Sequence, residues 1–210
     1  DGSIIELIKS GAVVGSIGTA FGELTIGNGG SGLMFVDTGQ DRVLPSTSTG
    51  AAADGLIDLG DNNDRFKDLY LSGGVYLGGT GAANKLDDYE EGTWTASLSG
   101  VASQTLGNNV GYYTKIGHRV FFQWYSSSST IGTANGLAYI NGLPFTSSSA
   151  GASYGLFHYV HGTGVLNSTG GYVNINATNM VFISENSVSG SNFSAGSGKY
   201  IMIQGSYSVA

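Results

Sequence analysis

Arg119-Val-Phe-Phe-Gln-Trp-Tyr125 is the stretch that decides the fold class. Successive side chains of an extended strand point to opposite faces. Val120, Phe122 and Trp124 therefore share one face, and Phe121, Gln123 and Tyr125 the other. Both rows are apolar enough to be covered, which predicts a central strand. Outward from it come further strand-like runs: Gly111-Tyr-Tyr-Thr-Lys-Ile116, Leu137-Ala-Tyr-Ile140, Tyr154-Gly-Leu-Phe-His-Tyr-Val160, Val173-Asn-Ile175, Met180-Val-Phe-Ile183 and a long run over residues 199–209. Ser/Gly/Asn-rich segments at 126–129, 146–151 and 187–198 read as solvent-facing loops. Roughly seven or eight strands of this kind predict an antiparallel β-sandwich of jelly-roll type.

Residues 1–85 read differently. Apolar pairs such as Ile4-Ile5, Val13-Val14, Leu24/Ile26, Leu33/Phe35 and Leu69/Leu71 recur between glycines, predicting strands of about two to five residues punctuated by turns. No segment keeps a helical period over three turns. A thin chain of this kind gains too little from burial to offset its ordering entropy. Several copies winding around a shared axis, as a Gly-rich trimeric β-shaft, would remedy that. The all-β chain is thus divided into a shaft over residues 1–88 and a head over residues 89–210.

Composition agrees with that division. Gly contributes 36 of 210 residues, Pro only 2 and Cys none, with 40% hydrophobic and 11% charged residues. Scarce Pro excludes collagen, and the apolar content excludes a disordered chain. The lack of Cys removes disulfides and thiolate metal sites. No apolar run approaches the ~18 residues of a membrane helix. The start at Asp1, without Met, reads as a fragment or processed product. Residues 1–92 hold five bases against fourteen acids, net −9, and residues 93–210 three bases against one acid, net +2. Seventeen of the 23 aromatics lie in the second part. Neither part has the basic stripe a nucleic acid requires, so none is expected as partner.

Short motifs add little chemistry. Gly151-Ala-Ser153-Tyr-Gly155 matches a nucleophile elbow in letters, but a strand-like run follows where the elbow needs a helix. Gly27-Asn-Gly29-Gly-Ser-Gly32 lacks the βαβ unit of a dinucleotide site. His158 and His161 would lie on opposite faces of a strand, and His118 falls in a turn. The carboxylates Asp61, Asp64, Asp87, Asp88, Glu90 and Glu91 lack the EF-hand spacing and read as solvated turns. No cofactor or metal is expected.

Asp58-Leu-Gly-Asp-Asn-Asn-Asp-Arg-Phe-Lys-Asp-Leu-Tyr-Leu-Ser-Gly-Gly74 resembles a shaft segment of tailed-bacteriophage tail fibres, and the run from Leu77 to Trp94 is similar to their shaft-to-head junction. Gly11-Ala-Val-Val-Gly-Ser-Ile-Gly18 upstream, and Tyr113-Thr-Lys-Ile-Gly117 with Gly142-Leu-Pro-Phe145 downstream, extend the likeness. Two departures are Ala96, where Pro commonly follows the Trp-Thr pair, and the lack of an intramolecular chaperone after Ala210. The resemblance implies a homotrimeric fibre of the virion tail, joined to upstream tail proteins. It would bind a host-surface glycan or outer-membrane receptor during attachment.

The alternatives are a glycan-degrading tailspike-type depolymerase, a purely structural fibre tip, or a bacterial adhesin. Glycosidases need two carboxylates about 5–10 Å apart, and the head offers Glu185 alone. Few charges and many aromatics suit sugar binding without catalysis. The candidate contacts are Tyr154, His158 and Tyr159, just after a Ser/Gly/Ala loop, with Trp124 as a further anchor. Packing in the sandwich or in a trimer interface is the competing role for all four.

Overall fold

The computed structural model describes residues 1–150, 154–184 and 190–209, and divides the chain into two units, Asp1–Tyr70 and Leu71–Ala210. Both are built from β-strands, and the described residues contain no α-helix.

The first unit is a five-stranded antiparallel meander in chain order: β1 (Gly2–Lys9), β2 (Ala12–Ala20), β3 (Glu23–Asn28), β4 (Ser31–Val36) and β5 (Arg42–Ser46). Two-residue turns at Ser10-Gly11 and Phe21-Gly22 join the first three strands, all four residues at positive φ. That is the turn geometry matching the twist of paired strands. The strands are longer than the sequence predicts. Gly27 and Gly32 do not end strands but face each other across β3 and β4. A Cβ on Gly27 would stand 2.8 Å from the Gly32 Cα, so these glycines let two backbones approach. The buried side chains are few and mostly small: Ser16, Ala20, Glu23, Thr25, Val36, Ser46 and Ala53. Glu23 accepts hydrogen bonds from the Thr38 hydroxyl (2.8 Å) and the Asp37 N–H (3.3 Å), and the Thr38 bond holds its carboxyl below the usual range. Every residue of β1 is exposed. The burial deficit expected for this part is visible as bare Ile4, Ile5, Leu7 and Ile8.

In the second unit a small hairpin, β6 (Val75–Tyr76) with β7 (Lys85–Leu86), precedes one antiparallel ten-stranded sheet. Its strands are β8 (Tyr89–Thr95), β9 (Ser97–Val101), β10 (Gln104–Thr105), β11 (Val110–Ile116), β12 (Arg119–Ile131), β13 (Ala134–Asn141), β14 (Gly155–Gly162), β15 (Gly170–Val173), β16 (Asn179–Ile183) and β17 (Gly196–Ser208). They run in the order β8-β11-β12-β17-β14-β15-β16-β13-β9, with β10 added beside β12. The antiparallel strands form one sheet that nearly closes on itself. Its two ends belong to consecutive strands, β8 and β9, joined through Ala96. That residue is buried and its N–H donates to the Asn109 carbonyl (2.7 Å). Tyr89, Ile116, Arg119 and Ser208 stand in one row, so β8 begins and β17 finishes at the same end of the sheet.

The inside is filled from alternate positions. Val120, Phe122 and Trp124 of β12 are buried, joined by Trp94, Phe157, Tyr159, Phe182, Ile201, Ile203 and Tyr207. The serines after Tyr125 are not a loop. β12 continues through them with an irregular register, and Ser126 and Ser129 are fully buried. Their hydroxyls bond each other (2.9 Å) and accept the Asn108 and Gly107 N–H groups. Polar side chains are tolerated there because each finds a partner. Ser147 and Ser191, also expected on loops, are buried too, donating to the Asn174 and Leu166 carbonyls.

Tyr207 gives a pH prediction. Its hydroxyl donates to the Phe145 carbonyl (3.0 Å) and accepts the Phe145 N–H (3.2 Å), and burial pushes its pKa up to about 12. The unfolded value is about 10. Folding therefore favours the neutral phenol, a contribution complete below pH ~10 and lost as pH rises towards ~12. Urea midpoints are expected to fall across that window. Tyr207→Phe should flatten the fall while lowering stability at neutral pH by about 1–2 kcal/mol.

Candidate functional site

The side of β11, β12, β17 and β14 that faces away from the core is the most functionally suggestive surface of the second unit. Register places Tyr112, Gln123, Gln204 and His158 in one row across the four strands. A neighbouring row runs Thr114, Phe121, Ser206, Leu156. Two adjoining depressions lie on this face and share Tyr112, Gln123 and Gln204. One, of about 460 Å³, adds Val110, Tyr125, Val160 and Met202; the other, of about 630 Å³, adds Arg119, Phe121, Leu156 and His158. Arg119 donates to the Ser206 hydroxyl (2.6 Å) and the Ser208 hydroxyl (3.3 Å), which ties the guanidinium to β17 at the edge of the face.

The four expected contact residues separate. Trp124 is buried, its indole N–H donating to the Asn108 carbonyl (3.1 Å). Tyr159 is also in the core, where its hydroxyl accepts the Gly164 N–H (3.1 Å) and the Val165 N–H (3.3 Å) and its ring packs edge-on to Phe182. Trp124 borders the smaller depression with 2% of its surface exposed, and Tyr159 shares parity with Phe157 in the alternation of β14. Tyr159→Phe is expected to cost about 1–3 kcal/mol, because two buried N–H groups lose their acceptor. Thermal unfolding monitored by tryptophan fluorescence would show it. His158 is exposed in the middle of the outer face. Tyr154 is exposed, its ring set edge-on to Tyr172 at 5.2 Å, near the end where β8 begins.

Other candidates resolve as follows. A register shift between Tyr159 and His161 brings His161 opposite Met202, with its ring 4.6 Å from Tyr200. The bulge thus overturns the expectation that His158 and His161 lie on opposite faces. His118 is exposed in the β11–β12 turn. The carboxylates near the junction have protein partners: Asp87 pairs with Lys85 (3.0 Å), Asp88 with Lys115, Glu90 with the Tyr113 hydroxyl and Glu91 with the Tyr89 hydroxyl. Those carboxylates hold both phenols above their usual pKa. Asp61 accepts the Asn63 and Asp64 N–H groups, which lowers its own. Among the described residues no three His, Cys, Asp or Glu side chains gather to hold a metal ion. Ser153 and Glu185 lie outside the described residues.

Sequence reasoning placed Phe121, Gln123 and Tyr125 on one face but expected it covered; in the single chain it is open. Tyr112 and Gln204 were missed, although both lie opposite buried neighbours in alternating strands. The lining of the depressions offers rings, aliphatic groups, amides, an imidazole and a guanidinium, and no carboxylate. Such groups stack and hydrogen-bond. A scan against models of protein families and searches of curated proteins and solved structures return no match to this chain.

Proposed function

We propose that the chain is a component of a bacteriophage tail fibre, carried on the virion, that binds a host-cell surface receptor, a glycan, during attachment. One observation carries the reading. The segment 58–74, which resembles a fibre shaft, forms no strand in the single chain. It leaves Leu59, Phe66, Leu69, Tyr70 and Leu71 between 54% and 89% exposed. So many bare apolar side chains along one segment are what a covering chain would bury. In a fibre those partners are further copies, and a homotrimer with a β-shaft over residues 1–88 gives each of them a place. The nearly closed sheet is then a jelly-roll-like head.

The receptor contact in this reading falls to turns of the head at the end away from Tyr89: residues 101–104, 131–134 and 162–170. They are rich in Ser, Thr, Gly and Asn, which hydrogen-bond sugar hydroxyls. The test is saturable binding of the full chain to a panel of intact bacterial cells, before and after periodate oxidation of surface glycans. Binding lost on oxidation supports a glycan receptor, and binding lost only on protease treatment replaces it with a protein. Release of reducing ends from host polysaccharide would favour a depolymerase. Light scattering should give a mass about three times 21.5 kDa, and a stable folded monomer would overturn the fibre.

A further inference from the structure

We propose that the outer face of β11, β12, β17 and β14 is not a ligand platform but the surface on which a second copy of this chain is seated. The inference rests on the proposed association of several copies and adds where in the head they meet.

Tyr112, Phe121, Tyr125, Leu156, Val160 and Met202 are each 37–67% exposed on this one face. At roughly 100 Å² apiece they bare on the order of 600 Å² of ring and aliphatic surface, at the upper limit for a monomer's largest patch. With Gln123, Gln204 and His158 between them, the face approaches the ~800 Å² that one partner gives to a standard interface. Its chemistry selects among occupants. Aliphatic Leu156, Val160 and Met202 neither stack on a sugar nor bond its hydroxyls, so they need an apolar counterpart. The two glutamines stand directly opposite each other in the register, presenting amide donors and acceptors that identical amides can satisfy.

Charge points the same way. The chain carries −7 overall, which repels copies from one another. On these four strands the outward charged side chain is Arg119, at the edge and tied to Ser206 and Ser208. The carboxylate nearest this face is Glu91 of β8, opposite Thr114 at its margin and bonded by the Tyr89 hydroxyl. Two copies meet here with the least like-charge cost.

The chain has no Cys, so a single introduced thiol reports on this face without background. Gln204→Cys in the full chain should react with a maleimide at least tenfold more slowly than Ser103→Cys, an exposed control on the β9–β10 turn. The two rates should become equal in denaturant. Adding Leu156→Glu, at a position 67% exposed in the single chain, should raise the Gln204→Cys rate to that of the control while circular dichroism stays unchanged. Equal native rates in an oligomer would overturn this surface and leave the association of copies intact. Protection in a protein that scatters as a monomer, or protection that Leu156→Glu leaves in place, would also overturn it. Cell binding is read separately, so a failure of the receptor reading does not alter these outcomes.

Discussion

Phe182→Ala is expected to destabilise the second unit by about 3–5 kcal/mol, the range for removing a fully buried ring. Phe182 has no exposed surface and is the ring around which the others are arranged. Phe157 lies edge-on at 5.0 Å, Tyr159 at 5.3 Å and Phe193 at 6.1 Å. Truncation leaves a cavity bounded by three rings that cannot collapse without breaking the hydroxyl contacts of Tyr159. For a domain of this size the melting temperature should fall by roughly 6–20 °C. Phe182→Leu, which keeps most of the volume, should cost clearly less. A shift below about 2 °C for the alanine variant would show that the aromatic cluster does not hold the barrel together.

Gly142→Ala should be comparably damaging for a different reason. Gly142 follows β13 at φ +99°, where an L side chain is strained. A Cβ there would stand 2.0 Å from the Thr95 carbonyl oxygen, a backbone atom that cannot swing aside. Thr95 is the last residue of β8, directly before Ala96, so the clash falls where the two ends of the sheet are joined. Strain and clash together should exceed about 3 kcal/mol. Hydrogen exchange offers the sharper readout. The Ala96 and Leu143 N–H groups, bonded to the Asn109 and Thr178 carbonyls, should lose protection before the β12–β17 ladder does. Uniform loss across the sheet would mean that this closure is not a separate element of stability.

Alternation made much of the second unit legible. The buried triplet Val120, Phe122 and Trp124 follows from period two alone, and the runs around Tyr112, Ile140, Phe157, Phe182 and Ile203 each contain an observed strand. What failed was the reading of small polar residues. Serines at 126 and 129 look like a loop because a hydroxyl is usually solvated. Inside, each is satisfied by its neighbour and by backbone N–H groups from 107 and 108, a pairing no local pattern announces. Glycine misled in the same way in β2–β4, where it permits close strand approach as well as turns. The closure through Ala96 depends on β8 pairing with β11 and β9 with β13, register choices that lie between distant segments. For the site, period two could already have assigned Tyr159 to the core with Phe157. Proximity of Gln204 to Gln123 and His158 could not be read, since it exists only once three strands are in register.

The link at Ala96 also has a mechanical side. β8 and β9 form almost one line of chain, from Tyr89 at the end where the polypeptide enters the sheet to Val101 towards the opposite end. Its first half is laddered to β11 over seven facing pairs and its second half to β13. A pull on the entering chain, with the opposite end held, acts lengthwise on that line. The β8–β11 bonds are then strained together in shear and cannot be peeled one after another. Lys115 on Asp88 and Tyr113 on Glu90 add side-chain ties near the point of entry. Drawn along this axis the sheet resists as a whole, whereas a sideways tug at Tyr89 would unzip it from the edge.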